Sequence, residues 1–191
     1  MAVIPIKKKY HISQDISAIS FNSSYSVVDP DSSKAIANFR EETTLKQAFS
    51  RLFLDRAFLS ASLALYNVQG DKLLDIYRLA SVFASHFVIK NHDGKILCTV
   101  KQRLSLFNPG IDVFDAQNRK LGTIEGGWKF KNFLFKDTND NTVAKISHKF
   151  EGIKDLLTTA DSFDLSITGD DSITLIALAL VICIDIIYHE S

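Results

Sequence analysis

From residue 25 onward, short runs of alternating apolar and polar residues flank polar turns. The turns are DPDSSK (29–34), NVQGDK (67–72), NHDGK (91–95), DAQNRK (115–120) and DTNDN (137–141). The runs YSVV, LALY, HFVIK, IDVF and NFLFK precede them, and AIANF, LLDIY, ILCTV, LGTIE and TVAKI follow. Alternation on both sides of an Asn/Asp/Gly turn predicts a β-hairpin. The last four turns begin 24, 24 and 22 residues apart, which predicts one repeated supersecondary unit. SFDLSI (162–167) predicts a further strand. An open antiparallel sheet of about ten to twelve strands would leave costly edges, so a closed barrel is expected.

A barrel of that size is too wide for its own side chains to fill. The chain offers one filler. From Ile173 to Tyr188 only Thr174 and Asp185 break an apolar run. A helix that is apolar all round must be enclosed by lipid or by protein. Sixteen residues span about 24 Å, against about 30 Å of hydrocarbon in a bilayer. Asp185 would cost roughly 2.5–3.5 kcal/mol near a bilayer centre. The flanks, GDDS and HES, carry no basic anchor. These features favour a core helix over residues 172–189. Asp185 is then a structural buried acid that needs an Arg, Lys, Tyr or backbone N–H partner.

Two stretches interrupt the alternation. TLKQAFSRLFLDRAFLSASL (44–63) has apolar residues at helical spacing, with a loop or irregular strand as the alternative. GIKDLL (152–157) reads as one helical turn. Residues 1–24 lack strong periodicity and read as an N-terminal arm that could lend one strand. Residues 25–191 read as the barrel domain.

The 191 residues carry no formal net charge, which removes the bulk electrostatic case for a nucleic-acid partner. Residues 151–191 hold eight acids and one base, while residues 1–150 hold 21 bases and 14 acids. Such a split marks an acidic site or a basic surface, or merely uneven strands. The two cysteines, Cys98 and Cys183, form no disulfide framework and fit a reducing, cytoplasmic compartment. MAVIPIKKKYH shows no signal-peptide core.

The segment VAKISHKFEGIKDLLTTADSFDLSI, then an acidic pair and an apolar helix ending CIDIIYHES, resembles the phospholipid scramblase family, within the tubby C-terminal-like (LURP-one-related) superfamily. The resemblance implies a mainly β fold: a closed antiparallel barrel of about twelve strands around a hydrophobic C-terminal helix. It also implies phospholipid binding, transbilayer lipid movement or protein interaction. In the family an acidic segment before the last helix is proposed to hold calcium. Here that segment is TTADSFDLSITGDDS: Asp161 and Asp170 match, Asp164 and Asp171 lie nearby, and Thr159 replaces the first acid. Calcium takes six to eight oxygens, so a plain barrel strand is the competing reading. The family's proline-rich extension and palmitoylated cysteine segment have no counterpart here.

No catalytic motif stands out. G-x-S-x-G and G-x-x-x-x-G-K-[ST] are absent, and His11, His86, His92, His148 and His189 lack zinc-type spacing. Basic residues with apolar neighbours remain. IPIKKKYH places Lys7, Lys8 and Lys9 beside Ile4, Ile6 and Tyr10, and WKFKNF places Lys129 and Lys131 on one side of an expected strand. These lysines are the candidate lipid-headgroup ligands. The expected partner is an anionic phospholipid or membrane surface, bound non-covalently and peripherally. A soluble protein-interaction scaffold and a tail-anchored scramblase are the alternatives.

Overall fold

A computed structural model describes residues 4–15, 24–42, 61–79, 81, 84–105, 109–126, 131–149 and 161–189. Among these, twelve strands close into an antiparallel barrel. They are β1 (Lys9–Asp15), β2 (Ser24–Asp29), β3 (Lys34–Glu41), β4 (Ala61–Asn67), β5 (Lys72–Leu79), β6 (His86–Asn91), β7 (Ile96–Arg103), β8 (Gly110–Phe114), β9 (Lys120–Glu125), β10 (Asn132–Asp137), β11 (Thr142–Lys149) and β12 (Ser162–Ile167). A 3-10 turn at Asp171–Ile173 leads into helix α1 (Thr174–His189).

All five expected hairpins form, and four share one turn chemistry. Asn67, Asn91, Asp115 and Asp137 each accept, through Oδ1, the backbone N–H groups two and four residues ahead, at 2.8–3.1 Å. The residue three positions on has positive φ: Gly70 (89°), Gly94 (77°), Asn118 (59°) and Asp140 (66°). Gly, Asn and Asp tolerate that region best, which is why they recur there. The β2–β3 turn is a variant, with Asp29 accepting from Asp31 N and Ser32 Oγ. Each hairpin shifts register just before its turn, at Val27/Val28, Leu65/Tyr66, Ile89/Lys90, Val113/Phe114 and Phe135/Lys136. Bulges strengthen the local twist, so five of them help bend the sheet to closure.

Alternation sends one face of every strand inward. Tyr10, Phe39, Phe87, Phe133 and Phe163 are among the largest fully buried side chains. Helix α1 fills the lumen, and every residue from Ala177 to Ile184 is inaccessible to solvent. The turn and helix together, Asp171–Tyr188, are long and apolar enough to cross a membrane, yet the barrel encloses most of that segment. Asp185 is 1% exposed and accepts a 2.6 Å hydrogen bond from the Tyr25 hydroxyl. Cys98, facing inward on β7, and Cys183 are both free and buried.

Three expectations are refined. Within the expected arm at 1–24, residues 9–15 are the one strand it could lend: β1 pairs with both β12 and β2 and closes the barrel. Of the helix-like stretch 44–63, residues 61–63 open β4; its remainder and the expected turn at 152–157 lie outside the described residues. WKFKNF is not one continuous strand. Lys131 has φ 53°, and β10 begins at Asn132.

Candidate functional site

With the lumen filled by helix α1, two clefts lie at the barrel ends. One cleft of about 330 Å³ sits at the hairpin end, between Ile4, Ile6, Leu73, His92, Asp171 and Leu175. Another of about 350 Å³ sits at the opposite end, beside Gln102, Arg103, Pro109 and Tyr188. Both fall at the lower limit for a small-molecule pocket. The outer surface of the sheet offers the larger canvas.

The candidate lysines divide. Lys7 Nζ pairs with Asp29 at 3.1 Å. Together with hydrogen bonds from Ser32 and Asp31, that contact holds the Asp29 carboxyl below its usual range. Lys8 Nζ pairs with Asp171 at 2.7 Å and donates to the Gly169 carbonyl at 3.1 Å. Lys9 is exposed and forms no ion pair among the described residues. Lys129 lies outside the described residues. Lys131 is exposed at the start of β10, three strand spacings from β1 or roughly 14 Å. The four described lysines therefore do not form one cluster.

The candidate calcium ligands do not converge either. Asp161 Oδ1 sits 2.7 Å from His148 Nε2. Asp164 lies between His11 Nδ1 at 2.9 Å and Lys149 Nζ at 2.8 Å. Burial would raise its pKa, but the hydrogen bonds from Lys149 and His11 outweigh that and hold it low. Asp170 caps the 3-10 turn by accepting from Ser172 N at 2.8 Å, which lowers its pKa. Asp171 is held by Lys8. Asp161 and Asp170 flank the six residues of β12, a span of roughly 20 Å at about 3.3 Å per residue. A single ion cannot bridge that span. No metal-type cluster occurs among the described residues.

What the fold does assemble is a polar face on β11, β12 and β1. Ser166 on β12 pairs in register with Lys145 on β11 and with Lys9 on β1. Two exposed ammonium groups thus flank one hydroxyl, with their backbones about two strand spacings, or roughly 10 Å, apart. Lys145, like Lys9, forms no ion pair among the described residues. In the next outward row, Asp164 pairs in register with His11 and with Ser147. Lys149 and Ser13 lie one row further, each in register with Ser162. Among the described side chains, the face carries Lys9, Lys145 and Lys149 with the carboxylate of Asp164, among several serines. Hydroxyl donors between unneutralised lysines suit a phosphate-bearing group. Lys145 and Ser166 escaped the sequence reading because no local motif marks them; their proximity comes from strand register.

The family model described as LURP-one-related matches residues 8–185. No curated protein matches the chain. An X-ray structure of a protein from Arabidopsis thaliana is similar over 93% of this chain and 91% of its own, with 14% identity and a TM-score of 0.57. That likeness speaks to fold alone.

Proposed function

The chain belongs to the LURP-one-related family, and from that premise we propose that it is a scramblase-related barrel that binds anionic phospholipid headgroups. Binding is non-covalent and interfacial, and places the protein peripherally on the cytoplasmic side of a membrane. The observation that carries the reading is the Lys9–Ser166–Lys145 row. Each lysine near an anionic surface contributes about 1 kcal/mol. Two contribute about 2 kcal/mol, or roughly thirty-fold in affinity. Salt screens the attraction within a Debye length of about 10 Å at 0.1 M.

Burial of Ala177–Ile184 weighs against a tail-anchored scramblase, because withdrawing the helix would empty the lumen. The scattered acids weigh against a calcium requirement. Full-length protein, purified without detergent, is sedimented with phosphatidylcholine vesicles with and without phosphatidylserine, at low and high salt, with calcium or chelator. The expected result is pelleting that requires phosphatidylserine, weakens with salt and ignores calcium. Lys9→Glu/Lys145→Glu loses it while unfolding at the wild-type temperature. If this variant pellets like wild type, the row is not the site. If wild type ignores every vesicle, a scaffold without lipid activity takes its place.

A further inference from the structure

The barrel's outer surface is two-sided. Tyr77 on β5, Val88 on β6, Thr99 on β7 and Phe114 on β8 are successive register partners, and all four are partly exposed. They form one mostly apolar row across four strands. Lys90 Nζ lies 5.2 Å from the Tyr77 ring centroid and Lys101 Nζ 4.8 Å from that of Phe114. Leu79 and Ile96, on the same strands, are 42% and 41% exposed.

Lysine stems laid over rings are an ordinary way to keep a sheet face soluble. Here the charges are left over. Among the described residues neither Lys90 nor Lys101 forms an ion pair; Lys101 makes only a 3.4 Å hydrogen bond to Asn118 Oδ1. The acids in register with them are committed elsewhere. Asp75, opposite Lys90, is bound by Lys72 at 3.0 Å. Asp112, opposite Lys101, is bound by Lys120 at 2.8 Å. The neighbouring His86 has a lowered pKa, from burial and from Lys101, and so adds no positive charge of its own near neutral pH.

Position decides the occupant. In the closed order of twelve strands, β6 lies six strands from β12, and β7 six strands from β1, by either route. A barrel resting on lipid through its Lys9–Lys145 face turns the aromatic row away from the bilayer. A closed barrel also offers no free edge for strand addition, so a partner must meet side chains. We propose that the Tyr77–Phe114 row is a docking face for an acidic segment of a partner protein. That segment would set apolar side chains along Val88 and Thr99 and carboxylates against Lys90 and Lys101. The choice of protein over membrane rests on the lipid reading of the opposite face.

The test uses full-length protein and two fluorescein-labelled peptides, one of alternating Glu and Phe and one of alternating Gln and Phe, followed by anisotropy. Wild type should bind the Glu peptide about ten-fold more tightly, the value for two exposed ion pairs. Lys90→Glu/Lys101→Glu should lose that preference yet still pellet with anionic vesicles. Lys9→Glu/Lys145→Glu should keep the peptide and lose the vesicles. Equal affinity for the two peptides, or an unchanged preference in Lys90→Glu/Lys101→Glu, overturns the proposal. So does loss of vesicle binding in Lys90→Glu/Lys101→Glu, which would assign this face to the membrane. If Lys9→Glu/Lys145→Glu keeps both partners, the lipid reading fails while the docking face stands.

Discussion

Tyr25→Phe removes one oxygen from the middle of the protein and tests how the helix is held in the barrel. The Tyr25 hydroxyl donates to Asp185 Oδ2 at 2.6 Å, and the two residues are 0% and 1% exposed. That length lies within the range of about 2.5–3.0 Å for a good O–H···O hydrogen bond. The ring also meets Phe39 edge-on, with centroids 6.4 Å apart. Phenylalanine keeps that contact, so the substitution isolates the hydroxyl. Removing one partner and leaving a buried acceptor unsatisfied costs about 1–3 kcal/mol. For a chain of this size each kcal/mol moves the midpoint by about 2–4 °C. A loss of about 2 kcal/mol therefore lowers Tm by roughly 4–8 °C, read by circular dichroism and confirmed by urea unfolding. Combining Tyr25→Phe with Asp185→Asn should be strongly non-additive, with a coupling of about 1 kcal/mol or more. A Tyr25→Phe protein within about 0.5 kcal/mol of wild type, or an additive cycle, would show that this bond does not hold the helix.

Leu178→Ala, at an inaccessible lumen position, should cost about 3–5 kcal/mol by urea unfolding, and Leu178→Asp should abolish cooperative folding; a cooperative transition in the latter would refute an enclosed helix. Burial pushes the Cys98 thiol up to about 12 and raises that of Cys183, so Ellman's reagent should label neither until denaturant is added; rapid labelling of the native protein would contradict their burial. Hydrogen bonds within their own turns hold Asp115 and Asp137 below the normal carboxylate range. A depressed folded pKa contributes stability that is complete above the unfolded value of about 3.9 and is lost as pH falls through the folded value. Asn67 and Asn91 accept the same N–H groups without titrating. Hydrogen exchange on acidification should therefore open β8–β9 and β10–β11 before β4–β5 and β6–β7, and simultaneous opening would refute the link.

Short-range chemistry made the hairpins legible. An Asx residue, a positive-φ position three residues on and alternation to either side all fall within about a dozen residues, so each hairpin reads from its own segment. The apolar run at 173–188 was legible for a related reason: with no polar face, it had to be enclosed. Strand β1 was legible only as a strand that the N-terminal arm could lend, without its bounds. KYHISQD alternates only briefly, and it is a strand because β12 and β2 offer it backbone partners from more than a hundred residues away and from the next segment.

The same limit governed the site. The acids at 161, 164, 170 and 171 look clustered in sequence, but an extended strand spreads them along the barrel wall and gives each a different partner. Lys9, Lys145 and Ser166 look unrelated in sequence, yet closure puts them in one row. The aromatic row from Tyr77 to Phe114 arises in the same way, one residue from each of four strands. Local patterning determined which segments are strands, which are turns and which helix must be buried. Only the closed tertiary structure decided which outward side chains share a face, because register between strands is a non-local property and a slip of one residue would turn each to the other side.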